Sequence, residues 1–390
     1  MKTIPRYPEL KGKALLALSI FWSLWFINFT GRTIFSPLLP IIEDEFMIGH
    51  ARASSVFMFQ SAGYGISQCL FSLFSGRFGY KRSILLSLLV SSLVFFLFAY
   101  TRLFSVFYIY SFIIGLSIGL YIPAAIPLIT EYFSEKDWGK AIAIHDSAAP
   151  IGIFVTPFIA ILLLHFLTWR GACIVFAICF LISAFVFLLT TEEVKIKDPM
   201  TISFKRVIRM PHLWLIGIIF TSASGANLGV YFICPLYMTK ELHMDMAHAN
   251  AILGISRLGS IGVAMLIGFI VDRMELKKTM RLLIFSTGIL TILTALSPPS
   301  FVGIPLFFQA IMVSGVFPVG LVSIARLFGR EMRGMATGFT MAISVGVGGG
   351  LIPYLLGLSG DLLSFRIGIL VLGGLVTLSS WLTNLFKELK

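Results

Sequence analysis

The stretch Asn28-Phe29-Thr30-Gly31-Arg32-Thr33-Ile34-Phe35-Ser36-Pro37-Leu38-Leu39-Pro40 closes the first long apolar run of the chain and carries a full positive charge. Counted back from Pro40, Arg32 lies about 12 Å inside the end of a helix. That is near the middle of a hydrocarbon layer about 30 Å thick. Arginine at this depth costs about 2.5–3.5 kcal/mol even on lenient insertion scales, so a chain keeps it where it faces water or a partner. Arg32 is therefore expected to face a central cavity and to hold the negative end of a small solute.

The surrounding composition agrees with a membrane setting. Of 390 residues, 57% are hydrophobic and only 12% are charged, whereas a soluble domain carries about 25% charged residues. The 35 glycines suit helices that approach one another closely in lipid. The net charge of +12 sits in short loops between apolar runs, which is the positive-inside pattern rather than a nucleic-acid footprint. Cys69, Cys173, Cys179 and Cys234 fall inside apolar runs without metal-ligand spacing and read as small apolar fillers. The histidines are scattered, so neither a metal nor another cofactor is expected. No phosphate-cradling glycine loop is present, which argues against ATP-driven pumping. No soluble segment is long enough for a catalytic domain, so the chain is not expected to be an enzyme. The first apolar run follows a basic N-terminus without a small-residue cleavage site and reads as a retained helix.

Runs long enough to span recur near 14–40, 51–75, 83–101, 104–130, 138–166, 169–190, 212–238, 249–271, 279–298, 301–327, 334–358 and 362–386, about twelve in all. The expected fold is an all-α membrane protein of twelve transmembrane helices in two pseudo-symmetric six-helix halves, 1–190 and 212–390. The polar segment 191–211 joins them. With the N-terminus inside, Lys11, Lys13, Arg77, Lys81, Arg82, Lys136, Lys140, Lys277, Lys278, Arg281, Arg330 and Arg333 all fall in inner loops. Both termini are then cytoplasmic, as expected for a protein of a bacterial-type inner membrane. Pro123 and Pro318, Gly139 and Gly334, and Pro40 and Pro235 are each 195 residues apart. One offset shared by several landmarks implies parallel repeats, which place a solute site between the halves near the midplane.

Two loops carry a further signal. Gly76-Arg77-Phe78-Gly79-Tyr80-Lys81-Arg82 follows the second run, and Gly268 to Lys278, containing Asp272-Arg273, follows the eighth. These resemble the cytoplasmic-loop signature of the major facilitator superfamily, Gly-x-x-x-Asp-Arg-x-Gly-Arg-Arg. The first copy departs from it, with Gly76 in place of the acid. The resemblance implies alternating access, with Arg77, Gly79, Arg82, Asp272 and Arg273 latching the inner side. Glu131 and Arg326, also related by the repeat, are expected to gate or cap there. An arginine eight residues before a proline in the first helix resembles organic-anion symporters and phosphate-ester antiporters of that superfamily. The latter put a second arginine in helix 7, where this chain has Asn227. Arg257 of helix 8 resembles an arginine of small-carboxylate and nitrate carriers.

Two guanidiniums from opposite halves are thus expected to clamp one anion, each with a planar fork of donors. Asn227, Tyr64, Tyr231, Gln60 and Tyr121 are the further candidates for solute contact. Asp146, a carboxylate deep in an apolar run, is the candidate proton carrier with His145 beside it, since burial favours its protonated form and an approaching arginine favours release. Adjacent helix positions point about 100° apart, so the two cannot both face a cavity squarely. The expected function is proton-coupled transport of a small carboxylate by a monomer in the bilayer. Nitrate-type transport, efflux of drugs or amphiphiles, and a non-transporting sensor on the same fold are the alternatives.

Overall fold

The computed structural model describes residues 7, 9–192, 208–271 and 275–386. Ten helical stretches there are long and apolar enough to cross a membrane. They are α1 (Lys13–Phe46), α3 (Tyr80–Ala99), α4 (Phe104–Tyr132), α5 (Glu135–Phe166), α6 (Trp169–Thr190), α7 (Pro211–Lys240), α9 (Leu276–Leu296), α10 (Gly303–Leu327), α11 (Met332–Leu362) and α12 (Phe365–Leu385). Two further long helices, α2 (His50–Phe78) and α8 (Met246–Val271), bring the count to the twelve expected.

Prolines break three of the long stretches at matching places. Helical geometry lapses at Ile34 in α1, Leu120 in α4 and Ser147 in α5. Each break lies three residues before a proline, Pro37, Pro123 and Pro150. A proline lacks the N–H for the carbonyl four residues back and clashes with it. Here those carbonyls belong to Thr33, Gly119 and Asp146, the last residues before each lapse. In α7 and α11 the ladder instead widens into π turns, Gly225–Gly229 and Ser344–Leu351. These two turns approach very closely: a Cβ on Gly348 would lie 2.7 Å from the Gly225 nitrogen. Only glycine allows that contact.

The chain forms two compact units, one of Met1–Ile34 with Ala62–Met200 and one of Phe35–Ser61 with Thr201–Lys390. In the first, α3 runs beside α6 and the first segment of α1 lies along α5. Gly31 admits the Phe180 and Phe95 rings, and Gly63 sits against the Phe112 carbonyl. The backbone N–H of Tyr7 bonds to the Tyr132 carbonyl at 2.9 Å, and its ring stacks on Phe133. In the second unit, α8 packs on α10, and α9 packs on α10 and α12. The hairpin Phe35–Ser61 packs there too, with the Ser36 hydroxyl donating to the Tyr231 carbonyl at 2.8 Å.

Candidate functional site

Each unit holds one deeply buried arginine. In the first unit Arg32 is 4% exposed, and its guanidinium carbon lies 4.4 Å from the centre of the Tyr64 ring. The cation–π contact balances part of the charge but accepts no conventional hydrogen bond. Arg32 Nη2 has no partner among the described residues. One turn back, Asn28 is 0% exposed, and neither its Nδ2 nor its Oδ1 is paired among the described residues.

The same unit holds a polar chain. Asp146 Oδ1 lies 2.9 Å from His145 Nδ1, and His145 Nε2 lies 3.2 Å from the Tyr121 hydroxyl. That hydroxyl donates to the Phe21 carbonyl at 2.9 Å. His145 is fully buried and stacks on Trp25, its ring centre 6.0 Å away. The Asp146 side chain is 56% exposed. Both lie in the helical segment before the lapse, where adjacent positions point about 100° apart, so one turns inward and its neighbour outward, and Asp146 is not the buried carboxylate expected from its apolar run. Tyr121 therefore belongs with His145 and the Phe21 carbonyl rather than with Arg32. The partner of Asp146 is an imidazole.

In the second unit Arg257 of α8 is 1% exposed. Its Nη1 donates to Asn227 Oδ1 at 2.9 Å, with Asn227 presented by the π turn of α7. The guanidinium carbon is 5.1 Å from the centre of the Tyr231 ring. Arg257 Nε and Nη2 have no partner among the described residues. Gln60 lies in this unit on α2, and its buried Oε1 is unpaired among the described residues. The ion pairs found among the described residues join Glu43 to His50, Asp146 to His145 and Asp44 to Lys240, among others, and include neither buried arginine. A buried cation without a carboxylate partner costs several kcal/mol.

The gating candidates divide. Asp272 and Arg273 lie outside the described residues, as does the side chain of Arg77. Gly79 has φ +79°, a conformation that suits glycine, and caps the start of α3. Arg82 and Arg326 are exposed and Glu131 is half-buried. The sequence reading gave no role to Asn28, whose signal is its spacing of four residues from Arg32. It also passed over a cluster at the helix ends of the second unit. There Asp361 accepts from the His50 and Ala51 N–H groups at 2.8 and 2.9 Å. Glu43 pairs with His50 at 2.9 Å, and Lys240 pairs with Asp44.

Twelve membrane-length helices, two of them carrying a buried and partly unpaired arginine, define a multi-pass membrane protein. The family profile of the Major Facilitator Superfamily matches residues 21–308 and 232–388, so the chain belongs to that superfamily of transporters. No curated protein sequence matches it. Among solved structures it resembles a bacterial homolog of the human lysosomal transporter Spinster, in an inward-facing and unoccupied conformation. The TM-score is 0.80 at 12% identity, over 95% of this chain and 96% of that one. A point mutant of the nucleoside transporter NupG gives 0.80 at 15% identity over 95% and 99%. A D-xylose-proton symporter gives 0.77 at 16% identity over 96% and 98%. These similarities establish the fold.

Proposed function

We propose that this transporter carries a small organic anion, a carboxylate, by alternating access coupled to protons, in an inner membrane with both termini cytoplasmic. The observation that carries the reading is the state of Arg32 and Arg257. Both are buried, both rest on a tyrosine ring, and both keep guanidinium N–H donors without a partner among the described residues. A carboxylate supplies the missing charge and acceptors together, and charge-assisted bonds of this kind are about twice as strong as neutral ones. A neutral sugar or nucleoside would leave the cations uncompensated.

The proton enters for an electrical reason. An inside-negative potential opposes uptake of an anion by about 2.3 kcal/mol per charge per 100 mV. One co-transported proton cancels this for a monoanion. Asp146, exposed and bonded to His145, is the group that takes it. The chain from Asp146 through His145 to Tyr121 carries the effect inward toward the first helix. The half-boundaries 1–190 and 212–390 are proposed as the moving bodies, and Arg77, Gly79, Arg82, Asp272, Arg273, Glu131 and Arg326 as the inner latch.

The test is uptake of small carboxylates into proteoliposomes under an inward proton gradient, with Arg32→Gln and Arg257→Gln beside the parent. Each substitution is expected to reduce uptake at least tenfold. Normal carboxylate uptake by both variants refutes the reading.

A further inference from the structure

Asn28 makes a demand that a simple carboxylate cannot meet. A carboxylate only accepts hydrogen bonds. It satisfies Arg32 Nη2 and Asn28 Nδ2, but it leaves Asn28 Oδ1 without a donor. All three atoms are buried and unpaired among the described residues. A buried amide left unpaired is costly, and such groups in native proteins answer to a partner.

Spacing lets one ligand reach all three atoms. Residues four apart lie on the same helix face, about 6 Å apart, and helical side chains lean toward the N-terminus. The long arm of Arg32 therefore leans over the turn that carries Asn28. The ordinary explanation of an asparagine beside an arginine is that its oxygen braces the guanidinium. The second unit shows that arrangement, where Asn227 Oδ1 accepts from Arg257. In the first unit it is absent: Asn28 Oδ1 accepts nothing and Arg32 Nη2 donates nothing among the described residues. Nor does the repeat supply a counterpart, since the position 195 residues on from Asn28 is Ala223.

We infer that Asn28 is a specificity-determining residue that reads a hydroxyl on the transported acid, close to its carboxylate. This rests on the anion reading above and narrows it to hydroxy acids. A hydroxyl both donates and accepts, so it matches an amide that offers one of each. An ammonium donates as well, but it would bring a second positive charge beside Arg32, with no carboxylate paired to either residue.

The test uses matched acids on the purified full-length protein, with apparent affinity taken from the rise in melting temperature against acid concentration. The pairs are lactate with propanoate and 3-hydroxybutanoate with butanoate, with alanine as the ammonium probe. In the parent, each hydroxylated acid is expected to bind about five- to a hundredfold tighter than its deoxy partner, the range for a buried polar group gaining or lacking its mate. In Asn28→Leu the ratio is expected to collapse toward one, and in Arg32→Gln both members of each pair weaken together. Equal affinity within the pairs on the parent overturns the inference and leaves the anion reading standing, whether or not the leucine variant folds. A preference for alanine also overturns it, because the donor is then an ammonium. If no acid binds, or Arg32→Gln weakens none, the anion reading fails and this inference falls with it.

Discussion

Replacing Asp361 by Asn is expected to loosen the hairpin Phe35–Ser61 from the rest of its unit. Asp361 ends α11 and accepts from the first two N–H groups of α2, His50 and Ala51, at 2.8 and 2.9 Å. Those groups have no partner within their own helix. Side-chain caps contribute about 0.5–2 kcal/mol, and a negative charge at a helix N-terminus adds about 0.3–1 kcal/mol. The asparagine keeps one acceptor and loses the charge, so about 1 kcal/mol is lost; Asp361→Ala loses about 2 kcal/mol. The neighbouring Lys240–Asp44 pair does not make this up, because Asp44 is 67% exposed and surface pairs are worth about 0–1 kcal/mol.

A loss of about 1–2 kcal/mol moves the balance between latched and unlatched forms about five- to thirtyfold. The native Cys234 reports it. This thiol is 2% exposed on α7, one turn beyond the Tyr231 carbonyl that accepts from Ser36. In protein lacking Cys69 and Cys179, labelling of Cys234 by a membrane-impermeant maleimide is expected to speed up by that factor, more for alanine than for asparagine. Unchanged labelling in both variants would show that the carboxylate cap does not hold the hairpin.

The same latch carries a pH dependence. The hydrogen bond that the His50 imidazole donates to Glu43 raises it above its ordinary value of 6.5, more than desolvation and Lys240 lower it, and Asp361 adds to the rise. A raised folded-state value means that the contribution is full below about pH 6.5 and is lost as pH climbs through the raised value. Divided at each pH by the labelling rate of the denatured protein, which removes the thiolate's own pH dependence, Cys234 labelling should therefore accelerate with rising pH in the parent and become flat in His50→Gln. For proton coupling, Asp146→Asn should abolish gradient-driven accumulation while counterflow exchange persists; intact accumulation would remove Asp146 from the mechanism. His145→Gln should cut accumulation by about tenfold or more without abolishing exchange, read in the same vesicles. At the π turns, Gly348→Ala places a Cβ 2.5 Å from the Ser224 Cβ, an overpacking expected to cost about 1–3 kcal/mol. A melting temperature equal to the parent's would contradict it.

How far the sequence speaks differs from element to element. The twelve helices are legible because membrane spans need long apolar runs, and hydropathy reads those directly. Depth, a simple count along a helix, puts Tyr64 and Tyr231 near the level of the two arginines as candidate solute contacts; that each ring lies against an arginine depends on side-chain direction, which depth does not give. The bond between Asn227 and Arg257 is harder to foresee: the π turn of α7 changes the angular position of Asn227, and a repeat offset carries no information about side-chain direction. Asp146 and His145 are read as a pair from adjacency, and the 100° between adjacent helix positions separates them, but which of the two faces inward is not written in the spacing. Asp361, Glu43, His50 and Lys240 lie far apart in sequence. Nothing local marks them as one cluster.

The proline breaks connect the candidate site to the architecture. The last residues before two of them, Thr33 and Asp146, lie within one residue of Arg32 and His145, and the third falls directly before Tyr121. A proline releases a carbonyl from the helical ladder and lets the helix bend there. The chain also passes from one compact unit into the other at the first break, between Ile34 and Phe35. Arg32 therefore stands two residues before a break, on a helix already weakened at that point. On the proposed reading, an anion that neutralised Arg32 would change the balance of charge beside a place where bending is easy. A site on an unbroken helix would have to move the whole helix to achieve the same.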